Sequence, residues 1–258
     1  MDGKRIGQTK ISAAVSVARC RDSVGDVFNG RSGGRNGMNQ MKPSLNVNNH
    51  YWPQGTVYGA LLNFQQEWHL RAPQMPEAPH KGAPKAPVLF IKTANTWTAS
   101  GRSIEIPASV AEVDIGANLA WVFGADAKPI ACVLVNDVSI PHESYYRPPV
   151  KFKCVDGFMG VGAKARPIDQ VQTDSVVFTV KVNGREVQRV DYADTVRKSQ
   201  TLLTDISEFM TFQEGDVLLL GSDCLTDGKR PRARAGDVVE ISAEGFDTLV
   251  NTFVGGAA

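Results

Sequence analysis

From residue 57 to residue 243 the chain is a succession of short apolar runs, each stopped by Gly, Pro, Asn or a Gly-Asp pair. Runs of five to seven residues, too short for helices that must bury a face, lead to a sheet protein. Strands are predicted over 57–62, 88–92, 118–123, 131–135, 216–220 and 237–243. The segment 176–182 alternates and ends in Asn183-Gly184, the residue pair best suited to the left-handed conformations of a two-residue hairpin, so 185–190 is its predicted partner. Only one long helical pattern stands out, over 194–210, where Val196, Leu203, Ile206 and Met210 recur at helical spacing behind a possible cap, Asp194. A shorter helix is predicted over 64–70. The stretch 73–87 carries five prolines and reads as a long loop. Many strands with few helices predict an α+β, β-dominated domain, not a doubly wound sheet.

Composition narrows the function classes. The 258 residues carry 28 Lys/Arg against 27 Asp/Glu, a formal charge of +1, so no electrostatic footprint for nucleic acid exists. No apolar run approaches the ~18 residues of a membrane span. Cys20, Cys132, Cys154 and Cys224 are scattered with no C-x-x-C spacing, which predicts reduced thiols in a cytoplasmic protein over a zinc or disulfide framework. Residues 1–41 differ from the rest, with seven glycines and seven Lys/Arg against three Asp. They are expected to be a disordered N-terminal extension before a single domain at 42–258. A short helix over 11–19 that docks on a partner is the alternative; three acidic residues and the lack of an apolar core argue against a targeting peptide.

Ordered blocks along residues 56–254 resemble the fumarylacetoacetate hydrolase superfamily. They are Val57-Tyr-Gly-Ala-Leu-Leu-Asn63, Val88-Leu-Phe-Ile-Lys92 with Asn95, Asn136-Asp137-Val-Ser139 and Lys153-Cys-Val-Asp156-Gly-Phe158. Gly215-Asp216, Gly221-Ser222, Gly236-Asp237 and Leu249-x-Asn251 follow in order. Tyr145-Tyr-Arg-Pro148 and His80-Lys-Gly-Ala-Pro-Lys85 are similar to the homoprotocatechuate-degradation decarboxylase/isomerases, and to their N-terminal half or first subunit. The resemblance implies a β-roll with few helices, a homodimer or a heteromer with a paralogous subunit, and decarboxylase or isomerase (tautomerase) chemistry on 2-oxo or enol di- and tricarboxylates of aromatic catabolism.

It also implies a site. Family members hold Mg²⁺ or Mn²⁺ with a Glu-x-Glu pair and the Asp of the Asn-Asp block; a hard cation takes oxygen ligands and can stabilise an enolate. Asp137 stands at the third ligand position and Lys153 at that of the enolate-stabilising lysine. The Glu-x-Glu positions carry Gly116 and Asn118. Asp114, two residues earlier, is a weak substitute, and with Glu112 it would share one face of a continuous strand. The site is therefore expected to be degraded and metal-poor, and the chain could instead be a catalytically degenerate subunit supporting an active paralogue. The remaining candidates are Glu67 and His69 as general bases, with Lys92, Arg147 and Ser222 as carboxylate-binding residues. Each has a plainer reading: an exposed helix face for Glu67 and His69, an ion pair for Lys92 and Arg147, and a turn for Ser222. His142 with Glu143 reads as solvated loop. The connection from Gly124 to Asp137 is too short for the helical crossover seen in the family.

Overall fold

The computed structural model describes residues 50–78, 81–142 and 150–256; the N-terminal stretch 1–41, His80 and Arg147 lie outside these. Two sheets hold the described residues together. In the larger, Val88–Lys92, Val57–Leu61, Val217–Leu219, Ala117–Phe123, Pro129–Asp137, Met159–Val161 and Trp97–Ala99 lie side by side in that order, with Arg166–Pro167 also paired to Pro129–Asp137. The smaller runs Arg185–Asp191, Val177–Val182, Val238–Ala243, Leu249–Gly255 and Ser103–Ile106. The helices are short: α1, Gln65–Arg71; α2, Val150–Lys153; α3, Ser199–Ser207. The β-dominated α+β class, a β-roll with few helices, is therefore met, and the predicted strands fall within a residue or two of those observed.

The central strands explain why the runs are apolar throughout. All seven residues of Ala117–Phe123 are buried. Leu119, Trp121 and Phe123 join the core packed between the sheets, while Ala120 and Val122 join a second cluster with Val57, Val133 and Val217 on the other face of the large sheet. A strand buried on both faces loses its alternation. The segment Gly124–Lys128 closes as a tight turn (Gly124 N–H to Lys128 O, 2.9 Å) between antiparallel strands, which accounts for the short connection. Asn183 and Gly184 take φ of 52° and 76°, and Val182 pairs with Arg185, so the predicted hairpin forms.

Three details depart from expectation. The helix over 194–210 is shorter: Tyr192–Asp194 is a 3-10 turn, α3 begins at Ser199, and the Ser199 amide is capped by Asp174 at 2.9 Å instead of by Asp194. Helical periodicity in sequence cannot see that Val196 N–H is claimed by Asn63 O at 2.9 Å, which pins the chain in a loop. The proline-rich loop opens with a 3-10 turn at Ala72–Gln74, since proline is tolerated in a first helical turn. And Glu112 to Asn118 is not one strand: Val113–Asp114 pairs with Arg232–Ala233 as a separate ribbon, and Ala117–Phe123 begins only afterwards.

Several family-like asparagines and aspartates are structural clamps. Asn63 donates to Leu220 O (2.8 Å) and accepts from Arg197 N–H (3.0 Å). Asp216 accepts from the amides of Thr56 and Gln213, both at 2.8 Å. Tyr192 is fully buried; its hydroxyl accepts from Leu119 N–H and donates to Gly221 O, both at 2.7 Å, tying the central strand to the loop that carries Ser222. Tyr192→Phe strands that amide and carbonyl without water, so unfolding in urea should show a loss of about 1–3 kcal/mol with an unchanged m-value.

Candidate functional site

One cleft, of about 630 Å³, collects most of the predicted site. Its floor is the end of the Pro129–Asp137 strand, where Asp137 N–H bonds to Gly116 O at 2.8 Å. The α2 segment brings Lys153 beneath it, α1 supplies Glu67, and the loop 221–232 supplies Ser222, Arg230 and Arg232. Among the described lining residues five are Lys or Arg (Arg71, Lys153, Lys229, Arg230, Arg232) and three are acidic (Glu67, Asp114, Asp137), so the cleft favours anions.

Asp137 is the pivot of the floor. Lys153 Nζ lies 2.6 Å from Asp137 Oδ2, and Lys92 Nζ lies 2.9 Å from Oδ1. The second contact is ionic without a directed proton, because Lys92 donates to the carbonyls of Val138, Lys153 and Phe158 at 2.7, 2.6 and 2.8 Å. An ammonium has three protons, so Lys92 has none left for a ligand, and it lies fully enclosed behind the floor. Burial alone would raise the Asp137 pKa; the two ammonium groups outweigh it and hold the carboxyl down at about 2. Burial draws the Lys92 pKa down to about 8 against the opposing pull of Asp137, so it keeps its charge at neutral pH. Lys153 Nζ also sits 4.2 Å from the centroid of the Phe90 ring, a cation–π contact, and lines the cleft.

The other candidates separate. Glu67 is buried and paired to Arg230 (Oε2 to Nη2, 3.3 Å), whereas His69, two residues on, is exposed on α1 and does not line the cleft. Ser222 lines the cleft and accepts from Arg230. Asp114 lines it too, held by Arg232 (Nε to Oδ1, 3.0 Å), which also grips Glu112. His142, read from sequence as solvated loop, stacks on Phe152 with ring centroids 5.2 Å apart and lines the cleft. Arg147 falls outside the described residues. Arg230 went unpredicted. Its signal was the basic run Lys229-Arg230-Pro231-Arg232-Ala-Arg234, which looks like a solvated turn until the fold brings Lys229, Arg230 and Arg232 to the cleft.

The donor set does not fit the divalent ion that the resemblance implies. No three Asp, Glu, His or Cys side chains converge among the described residues. A Cβ at Gly116 would lie 2.7 Å from Asp137 O and 3.3 Å from Ser222 Oγ, so the chain has closed over the space where a first carboxylate would stand. Asn118 turns its Oδ1 to Gly221 N–H (3.2 Å) and the Tyr192 hydroxyl (3.4 Å). The one carboxylate at the expected place is already flanked by two cations. The expected Mg²⁺ or Mn²⁺ site is thus not assembled by these residues.

A family model described as "Fumarylacetoacetate (FAA) hydrolase C-terminal" matches residues 56–254. The chain belongs to the fumarylacetoacetate hydrolase family. It is 34% identical over 211 residues to the 4-hydroxyphenylacetate degradation bifunctional isomerase/decarboxylase of Escherichia coli, covering 78% of this chain and 47% of that protein. To the Salmonella dublin protein of that name it is 36% identical with the same coverage, so the chain spans about half the length of these relatives. A human mitochondrial oxaloacetate tautomerase is 27% identical over 66% of this chain and 60% of its own length. The fold is shared with 5-carboxymethyl-2-hydroxymuconate delta-isomerase from Mycobacterium smegmatis (TM-score 0.61, 24% identity, 79% and 80% of the two chains). It is shared as well with 2-hydroxyhepta-2,4-diene-1,7-dioate isomerase from Mycobacterium marinum (TM-score 0.61, 22% identity, 79% and 75%).

The Asp137 carboxyl, whose pKa in the fold lies below the usual aspartate value of 3.8, contributes stability that is full above that value and lost as pH falls toward about 2. Asp137→Asn leaves two ammonium groups without their anion; it should cost about 3–5 kcal/mol at pH 7 and flatten the decline between pH 4 and pH 2, read by urea unfolding across that range.

Proposed function

We propose that the cleft binds a 2-oxo or enol di- or tricarboxylate and carries out its tautomerisation or decarboxylation with positive charge supplied by the chain's own side chains. The observation that carries this reading is Lys153: an ammonium held at the floor of an anion-favouring cleft, oriented by Asp137 at 2.6 Å and by the aromatic face of Phe90. Both reactions pass through an enolate, and a fixed ammonium aimed at the 2-oxo oxygen stabilises that developing charge more than it stabilises the ground state. Lys92 positions the backbone of Lys153 and adds charge behind Asp137. Glu67, the one candidate base that reaches the cleft, would take the proton from the carbon beside the carbonyl. The similarity to isomerase/decarboxylases supplies the substrate class.

Lys153→Met should lower kcat/KM for a 2-hydroxy-2,4-dienedioate, followed as loss of dienol absorbance, by about 10²–10³-fold, while dialysis of the unmodified protein against EDTA leaves turnover unchanged. Turnover that disappears on chelation and returns with Mg²⁺ would overturn the reading.

A second reading has its own support: two carboxylate positions are filled by Gly116 and Asn118, and the chain spans half the length of its bifunctional relatives. In it the chain is the degenerate member of a heteromer whose paralogous subunit keeps Glu-x-Glu. Co-elution with that paralogue in size exclusion, with turnover only in the mixture, is its expected signature; equal turnover by the isolated chain excludes it.

A further inference from the structure

Arg230 is a largely buried cation of the cleft held by a single long ion contact. Arg232 is gripped by both Glu112 and Asp114, and Lys153 by Asp137 at 2.6 Å. Arg230 meets one carboxylate within ion-pair distance among the described residues, Glu67, through a single contact of 3.3 Å. That is long for a charge-assisted hydrogen bond, which normally closes to about 2.7–2.9 Å. Its other contacts are to neutral oxygens: Nη1 donates to Ser222 Oγ and to Asp223 O (3.0 Å). Of the five N–H donors of a guanidinium, three are used, which leaves one on Nε and one on Nη2 for a further acceptor. The Nη1 contacts fix the side chain to the loop after Gly221, so the guanidinium is held in place from one side and open to exchange on the other. Its partner Glu67 is nearly enclosed, with 8% of its side chain accessible against 18% for Arg230.

We infer that Arg230 recognises the carboxylate of the ligand distal to the 2-oxo group, and that this contact exchanges Glu67 off the guanidinium. The inference rests on the proposed carboxylate chemistry of the cleft and adds its specificity. A 2-oxo monocarboxylate can meet Lys153 but offers nothing to Arg230, so Glu67 stays paired and unavailable as a base. A dicarboxylate long enough to reach both cations replaces one anion by another at Arg230 and releases Glu67 beside the reacting carbon. Charge at Arg230 is matched before and after the exchange, and Glu67 gives up its ion partner and is left as an unpaired carboxylate in the cleft. The ligand thus assembles the site only when its second charge is present.

The test is calorimetric binding of 2-oxoglutarate, 2-oxoadipate and 2-oxopimelate, each against the 2-oxo monocarboxylate of the same chain length. The unmodified protein should prefer at least one dicarboxylate by roughly 10–100-fold, the equivalent of one charge-assisted contact. Arg230→Met should erase that preference and leave monocarboxylate affinity alone, and Arg230→Lys should restore part of it. Glu67→Gln, which removes the competing anion, should tighten dicarboxylate binding several-fold with no effect on monocarboxylates, and it decides the matter if Arg230→Met does not fold. Lys153→Met should keep the preference even where turnover is lost, which separates this inference from the enolate chemistry. A preference that survives Arg230→Met, weaker dicarboxylate binding in Glu67→Gln, or no preference in the unmodified protein would each overturn it.

Discussion

The site is organised by one buried charge cluster, the Asp137 carboxylate between the ammonium groups of Lys92 and Lys153. Three ions withdrawn from water need partners, and here both ammonium groups share one carboxylate while backbone carbonyls take the protons of Lys92. Three carbonyls surround Lys92, and these belong to the strand end, to α2 and to the segment entering the next strand. A single side chain therefore gathers three parts of the backbone around Asp137. The position of Lys153 in the cleft follows from that gathering, since its own carbonyl is one of the three acceptors.

The same cluster explains how a fold associated with metal-dependent chemistry can hold together without a carboxylate cage. With Gly116 and Asn118 at the other two positions, Lys153 and Lys92 face one carboxylate, a net charge of 2 − 1 = +1 that suits an anionic ligand. Gly116 then allows Asp137 to approach, and Asn118 becomes a hydrogen-bonding link to Tyr192 and Gly221. Both replacements are used structurally, so restoring either acid alone would meet occupied space or break a buried network. The cleft keeps its preference for anions, with cations arranged on two sides: Lys153 on the floor and Arg230 on the wall.

Local chemistry made much of this legible beforehand. The Asn183-Gly184 turn, the short apolar strands and the tight link after Gly124 depend on neighbours in sequence, and they appear in the fold as expected. Asp137 and Lys153 were found through their motif blocks. The misplaced features are those decided by distant partners. Asp174 and Asn63 shorten the helix that periodicity extends to residue 194. Arg232, more than a hundred residues away, takes Asp114 and Glu112 out of line with Gly116. His69 and Glu67 differ by two positions on one helix, and only packing decides which faces the cleft.

Sequence alone determined the architecture and the identity of the floor residues, because apolar periodicity, turn chemistry and motif order act over a few residues at a time. It also put Gly116 and Asn118 at the two positions where the resemblance implies carboxylates. Tertiary structure decided what replaced them. Which cation pairs with which anion depends on side chains brought within 4 Å from far apart in the chain, and the inward turn of Arg230 toward Glu67, across 163 residues, is that kind of fact. No local pattern encodes it, since a run of basic residues reads the same whether solvent or a buried carboxylate receives it.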